Sequence, residues 1–224
     1  MKRGYLSVKD VMPTVSQNII YEVILTTRSK DGEVNASPMG LIFVDDELSK
    51  FFLRVYKETK THSNLIERRV GVVNITRKPI LFIKYLARDK ERYLVEEVED
   101  AEVVDVPRLK NMEAYIEFIV EDAFDKGLRT DFLCKVIKVY EGVKILEPYS
   151  RAVYALIESA VNISKLEPYL QQGIDVDDLI RNISYCLDVI KKTASGTEFE
   201  EYFKILLSSL PERSSSLLKQ HLSL

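Results

Sequence analysis

The chain has few of the side chains that most often carry hydrolytic or metal chemistry. His62 and His221 are its only histidines, Cys134 and Cys186 its only cysteines, and it has no tryptophan. Neither histidine stands in a helical pair with a glutamate, and no serine sits in a glycine-flanked elbow, so zinc-peptidase and serine-hydrolase chemistry is unsupported. The two cysteines lie in separate segments without metal-ligand spacing, which excludes a thiolate metal site and reads as two buried free thiols without a disulfide. Glycine is scarce, with 8 residues, and no two are spaced as in a dinucleotide fingerprint or a phosphate-cradling P-loop. Charge of one sign is also lacking: 32 Lys and Arg against 35 Asp and Glu leave a net charge of −3. No global field therefore favours nucleic acid or an anionic membrane, and an anionic ligand has to be held by a local site. Long apolar runs are absent. The stretch from Ile19 to Leu25 is broken by Glu22 and no charged-then-apolar leader precedes it, so no membrane span and a cytoplasmic location are expected. Acidic pairs such as Glu96-Glu97 and Asp177-Asp178 read as solvated faces or helix starts rather than as acid/base dyads.

What is present is a 46% hydrophobic composition, enough for a sizeable core. Ile20 to Thr27 is rich in β-branched residues and reads as a strand that ends at Ser29-Lys30-Asp31-Gly32, where Asp-Gly signals a hairpin. The return strand, from about Glu33 to Val44, contains Pro38 and Gly40, and an interrupted strand is expected there. A third strand covers Lys50 to Val55, a short helix Ser63 to Arg69, and a fourth strand Val70 to Thr76. Pro79 to Ala87 suits a short helix with proline in its first turn. Ala101 to Val106 is a further strand candidate. Ala114, Ile116, Phe118 and Val120 alternate with Glu113, Glu117 and Glu121, which predicts a strand with one wet face, and Phe132, Cys134 and Val136 continue the pattern across a turn at Asp125-Lys126-Gly127. From Ser150, a plausible N-cap, the apolar period becomes helical through Val153, Leu156, Ile157, Ala160 and Val161. A second helix is capped by Asp175 and carries the stripe Val176, Leu179, Ile180, Ile183, Leu187 and Ile190; a third contains Phe199, Phe203, Leu206 and Leu210 and stops at Pro211, before a last amphipathic turn. The expected organisation is mainly β plus α: a barrel over residues 1–149 and a helical extension over 150–224.

Two segments carry chemistry that packing alone does not require. In Asn35-Ala36-Ser37-Pro38-Met39-Gly40 small residues and a proline leave strand backbone unpaired, and unpaired backbone can read a planar heterocycle. In Arg54-Val55-Tyr56-Lys57-Glu58-Thr59-Lys60-Thr61-His62-Ser63-Asn64 a strand gives way to a helix amid cations and hydroxyls, which suits a phosphate. The plainer readings are an edge bulge and a capped helix with a solvated basic loop.

These segments, with Tyr21 to Thr27 before them and Gly71-Val72-Val73-Asn74-Ile75-Thr76 after, occur in the order and spacing of an archaeal FMN-binding split-barrel family. That family is catalogued mainly as a domain of unknown function and is distantly related to the flavin reductases. Cys134-Lys135-Val136 with Glu141-Gly142, and Arg151-Ala152 with Ala155-Leu156-Ile157-Glu158, also resemble it, so the likeness reaches about residue 165. It implies a split β-barrel and a homodimer with FMN near the interface. Asn35, Ala36, Ser37, Pro38 and Met39 would border the flavin ring, and Arg54, Thr59, Thr61 and Asn64 would serve the ribityl phosphate. Ser37 stands where alanine is commoner, and Ser150 where asparagine usually precedes the Arg-Ala pair. The implied activity is hydride transfer through FMN from NAD(P)H or another donor; the alternative is a protein that stores, delivers or senses FMN without turnover. No acid or base stands out as catalytic.

Overall fold

The computed structural model describes residues 6–18, 20–87, 94, 97–143 and 151–222. The chain forms two units, one of residues 1–77 and 89–145 and one of residues 78–88 and 146–224.

The first unit is a closed six-stranded barrel. After a one-turn helix α1 (Val8–Val11), strands β1 (Ile20–Arg28), β2 (Val34–Phe43) and β3 (Lys50–Tyr56) lead into helix α2 (Lys60–Arg68) and strand β4 (Val70–Ile75). The short pair β5 (Val98–Glu99) and β6 (Arg108–Leu109) precedes the long hairpin of β7 (Ala114–Asp125) and β8 (Arg129–Glu141). Strand order is β1-β2-β3-β8-β7-β4, closed by β4 against β1, with every neighbour antiparallel. The Asp31-Gly32 signal is realised: Gly32 has φ +90°, a region that L side chains rarely enter. Alternating residues of all six strands fill the barrel, among them the edge-to-face sequence Phe43, Phe51 and Phe118 with ring centroids 5.9 and 5.2 Å apart. Gly71 permits this packing, since a Cβ there would stand 2.7 Å from the Phe118 ring.

Three expectations are corrected here. First, β2 is not interrupted, because it pairs with β1 without a break from Arg28↔Val34 to Ile20↔Ile42. The anomaly lies on its other side: β3 pairs only with Leu41–Phe43, so among the described residues no strand lies alongside that edge from Val34 to Gly40, and Pro38 sits within it. Second, residues 101–106 form no strand, and 102–106 run as bends. Their backbone is claimed by a side chain: the amides of Glu102, Val103 and Val104 donate to the Glu117 carboxylate at 2.7, 2.8 and 2.8 Å. Third, Glu117 is therefore not on a wet face but fully buried, and it also accepts from the Tyr140 hydroxyl at 3.1 Å. The 98–112 segment covers this outward side of β4, β7 and β8. Asn74 takes the Leu109 amide at 2.7 Å, and the Arg108 guanidinium lies over the stacked rings of Tyr115 and Tyr140 at 4.8 and 4.6 Å. Burial, foremost, pushes the Tyr140 hydroxyl well above the usual phenol range.

The second unit consists of α3 (Pro79–Leu86), α4 (Arg151–Gln172), α5 (Asp177–Ala194), α6 (Glu198–Ser208) and α7 (Glu212–His221). The α5 stripe Val176, Leu179, Ile180, Ile183, Leu187 and Ile190 is buried throughout against Leu156, Ile163, Phe203 and Leu206, as the helical period requires. Ile83 of α3 belongs to the same cluster, so a helix placed by sequence inside the barrel segment is packed with the C-terminal helices. The α5 cap is also corrected: Val176 holds the N-cap position without a side-chain bond, while Asp175 accepts the Asp177 amide one residue further out. The proposed Ser150 cap lies outside the described residues. Among those residues no helix is long and apolar enough to cross a membrane.

Candidate functional site

The hairpin register places Thr27 directly opposite Asn35 and Leu25 opposite Ser37, so Thr27, Asn35 and Ser37 share one face of the β1-β2 ribbon. Helix α2 packs on this ribbon through Thr61, Asn64 and Leu65, which are spaced to lie on one side of it. The contact is polar. Asn35 Nδ2 donates to Thr61 Oγ1 at 2.9 Å, Thr61 Oγ1 lies 2.7 Å from Ser37 Oγ, and Asn64 Nδ2 donates to Thr27 Oγ1 at 3.0 Å. Thr27, Asn35, Thr61 and Asn64 are all at least 95% buried, and a buried polar cluster of this kind is stable only when its members satisfy one another. One atom is left over: Asn35 Oδ1 is buried and has no hydrogen-bond partner among the described residues.

Beside this cluster is a cavity of about 280 Å³ lined by Ser29, Glu33, Val34, Asn35, Glu58, Thr59, Lys60, Ser63 and Asn64. Thr59 caps α2: its hydroxyl donates to the Tyr56 carbonyl at 2.8 Å and accepts the His62 amide at 3.2 Å. Lys60 and Glu33 face each other at 3.7 Å. On the other side of α2, His62 Nε2 is 2.9 Å from Thr130 Oγ1 and its ring meets Phe132 edge-on. Burial, and then the nearby Lys57 ammonium, hold the His62 pKa below its ordinary value. Lys57 itself pairs with Asp125 at 2.8 Å, and that bond, with the Gly127 amide, lowers the Asp125 pKa.

The structure thus gathers Asn35, Ser37, Thr61 and Asn64 into one cluster and puts Thr59 on the cavity beside it. Ala36 is buried in the same strand, Pro38 is half-buried, and Met39 packs against the barrel core. Arg54 is not brought into the cluster. It is exposed on β3, opposite Asp131 in register, and its guanidinium makes no hydrogen bond or ion pair with a described residue. The sequence reading includes Glu58, Lys60 and Ser63 in the Arg54–Asn64 segment without giving them a role, and it misses Thr27, Ser29 and Glu33 as site residues. Thr27 could have been found by counting back from the Asp31-Gly32 turn, because hairpin register fixes the partner of Asn35. Among the described residues no three His, Cys, Asp or Glu side chains are grouped to hold a metal ion.

Comparison with known proteins shows the family and relatives of the same fold. Residues 21–141 match the family model described as protein of unknown function (DUF447) N-terminal domain, and residues 150–208 match the model of protein of unknown function (DUF447). Among solved structures, an FMN-bound protein of that family from Methanosarcina mazei is similar with a TM-score of 0.68 at 20% identity, over 85% of this chain and 95% of that one. Nitrilotriacetate monooxygenase component B from Bacillus cereus is similar with a TM-score of 0.51 at 17% identity, over 66% of this chain and 82% of that one. The homologous component from Mycobacterium thermoresistibile has a TM-score of 0.50 at 16% identity, over 58% and 72%. At these identities the likeness is one of fold.

Proposed function

Because the chain belongs to the DUF447 family, we propose that it binds FMN along the open edge of β2, beside α2, and transfers hydride through it as a flavin-reductase-type oxidoreductase. The observation that carries the binding reading is the edge of β2, where among the described residues no strand lies beside Val34 to Gly40, in the same strand that carries the buried Asn35 carboxamide oxygen with no donor among those residues. A bound group can lie along that edge. The FMN-bound relative with the same fold supports the choice of group. When bound, FMN supplies a ring that accepts and returns hydride at N5. The protein's own contribution is position: Asn35, Ala36, Ser37, Pro38 and Met39 present one ribbon to the ring, Thr61 and Asn64 lock α2 onto that ribbon, and exposed Arg54 is the cation at hand for the phosphate. A second copy of the chain closing the site, as a homodimer, belongs to the same proposal.

The neutral character of the cluster, amides and hydroxyls only, favours one rival: FMN held for storage, delivery or sensing without turnover. Two measurements test the proposal. The protein should take up FMN with a change in flavin fluorescence, and the loaded protein should oxidise NADH or NADPH with a flavin or quinone acceptor. Tight FMN binding without turnover with any donor would establish the rival, and failure to bind FMN at all would remove both.

A further inference from the structure

We infer that a second copy of the chain seats on the outer face of β3 and β8, related by a two-fold axis that runs parallel to these strands and midway between them. This rests on the homodimer of the reading above and names its face, and its test does not require FMN. The face is apolar where alternation assigns solvent. Ile20, Ile42, Phe52 and Leu133 are successive cross-strand partners on β1, β2, β3 and β8, so they form one row on the outside of the barrel, turned away from the buried Leu41, Phe51 and Phe132. Beside this row Phe124 meets Phe52 edge-on at 6.2 Å, and Tyr56 and Leu128 are 61% and 68% exposed. Apolar side chains gathered in this way mark a surface that another surface covers.

The occupant follows from the register. Phe52 lies opposite Leu133, Arg54 opposite Asp131 and Tyr56 opposite Arg129. An axis between the two strands lays β3 of each copy over β8 of the other, so that neighbours within one copy become facing partners across the interface. Phe52 then meets Leu133, the Tyr56 ring receives the Arg129 guanidinium, and Arg54 meets Asp131, each contact being made twice. Arg54 is exposed and has no ion pair with a described residue, while among those residues Asp131 has the single ion-pair neighbour Arg129 at 3.3 Å. The face is therefore complementary to itself in charge, as an isologous interface requires. Since β3 pairs with β2 only through Phe51–Leu53, Arg54 and Tyr56 border the open edge of β2, and a copy seated here covers the place proposed for FMN.

Exchanging single charges tests the arrangement. Sedimentation velocity of the full chain, with and without FMN, should show a dimer. Arg54→Asp and Asp131→Arg each oppose like charges twice in a self-dimer, so each variant alone, checked for folding by circular dichroism, should associate roughly a hundredfold more weakly. An equimolar mixture of the two should recover the dimer, because one copy then carries both acids and the other both guanidiniums. Phe52→Ser, which alters no charge, should also shift the protein toward monomer. A monomeric parent, variants that dimerise as the parent does, or a mixture that stays monomeric overturns the inference. Flavin fluorescence on the same samples separates it from the ligand reading: a monomer that takes up FMN sinks the interface alone, and a dimer that takes up none sinks the FMN reading and leaves the interface standing.

Discussion

Replacing Glu117 by Gln removes a charge and exchanges one acceptor oxygen for an amide donor without changing the shape of the side chain. In the parent protein one carboxylate oxygen accepts from the Glu102 amide and the Tyr140 hydroxyl, and the other from the amides of Val103 and Val104. The glutamine adopts the less costly orientation, with its NH₂ toward Glu102 and Tyr140, since the tyrosine hydroxyl can turn and accept. The Glu102 amide then faces another donor and is left unpaired, at a cost of about 1–3 kcal/mol. The two remaining bonds lose their ionic character, worth roughly 1 kcal/mol each. Relief from burying a full charge offsets part of this, so the net loss is about 2–4 kcal/mol. Urea unfolding followed by far-UV circular dichroism should show the midpoint falling by about 1–2 M, and hydrogen exchange at residues 102–104 should rise more than exchange in β1. Tyr140→Phe, which removes the bond to Glu117 at 3.1 Å and the contact of the same hydroxyl with Arg108, should cost about 1–2 kcal/mol. A Glu117→Gln protein within about 0.5 kcal/mol of the parent would refute the idea that this carboxylate fastens the 98–112 segment to the barrel.

Arg54→Ala should weaken FMN about tenfold and leave riboflavin unchanged, because a charge-assisted phosphate contact is lost and nothing else is; equal losses in a fluorescence titration of both ligands would show that the phosphate lies elsewhere. His62 should make stability depend on pH. Its folded pKa is depressed below 6.5, so as pH falls the unfolded chain binds the proton first; the stabilising contribution is complete above about 6.5 and is lost as pH drops through that value toward the lower folded pKa. Urea midpoints measured between pH 5 and 8 should flatten in His62→Gln, and an unchanged slope would assign the dependence to other groups. The FMN-loaded protein should sediment as a two-fold dimer, and a monomer that retains FMN would count against a second copy closing the site.

The barrel was legible because local signals agree with it. Asp31-Gly32 set the first hairpin, and β-branched alternation located β1, β3 and β4 to within a residue of their ends and the middles of the longer β7 and β8. Failures occurred where a side chain took over backbone bonding. The 101–106 stretch has the composition of a strand, but its amides face Glu117, a partner 13 to 15 residues away that no local pattern reveals. Glu117 itself occupies a position that alternation assigns to solvent, and burial depended on a segment crossing over it. In the candidate site, the residues of the β2 motif and of α2 were identified from sequence as separate segments. Their union through Thr61, and the acidic lining contributed by Glu33 and Glu58, are tertiary facts. Arg54 was grouped with them by nearness along the chain, yet strand alternation turns it away from its neighbours Leu53 and Val55, which are buried.

The excursion of the chain through α3 matters for synthesis. β4 and β7 are neighbours in the barrel, yet between them the polypeptide departs to deposit one helix among elements that the ribosome has not yet made. All the barrel strands have been translated once residue 141 has emerged, but Ile83 and the rest of the α3 surface must wait for α4 and α6 to follow. A nascent chain halted there would carry a finished barrel and a sticky helix at once, a substrate for chaperones until the helices from Arg151 onward arrive. Fragments meant to isolate the barrel would need that loop shortened as well as the later helices removed, since a single cut cannot separate two bodies that the chain enters alternately.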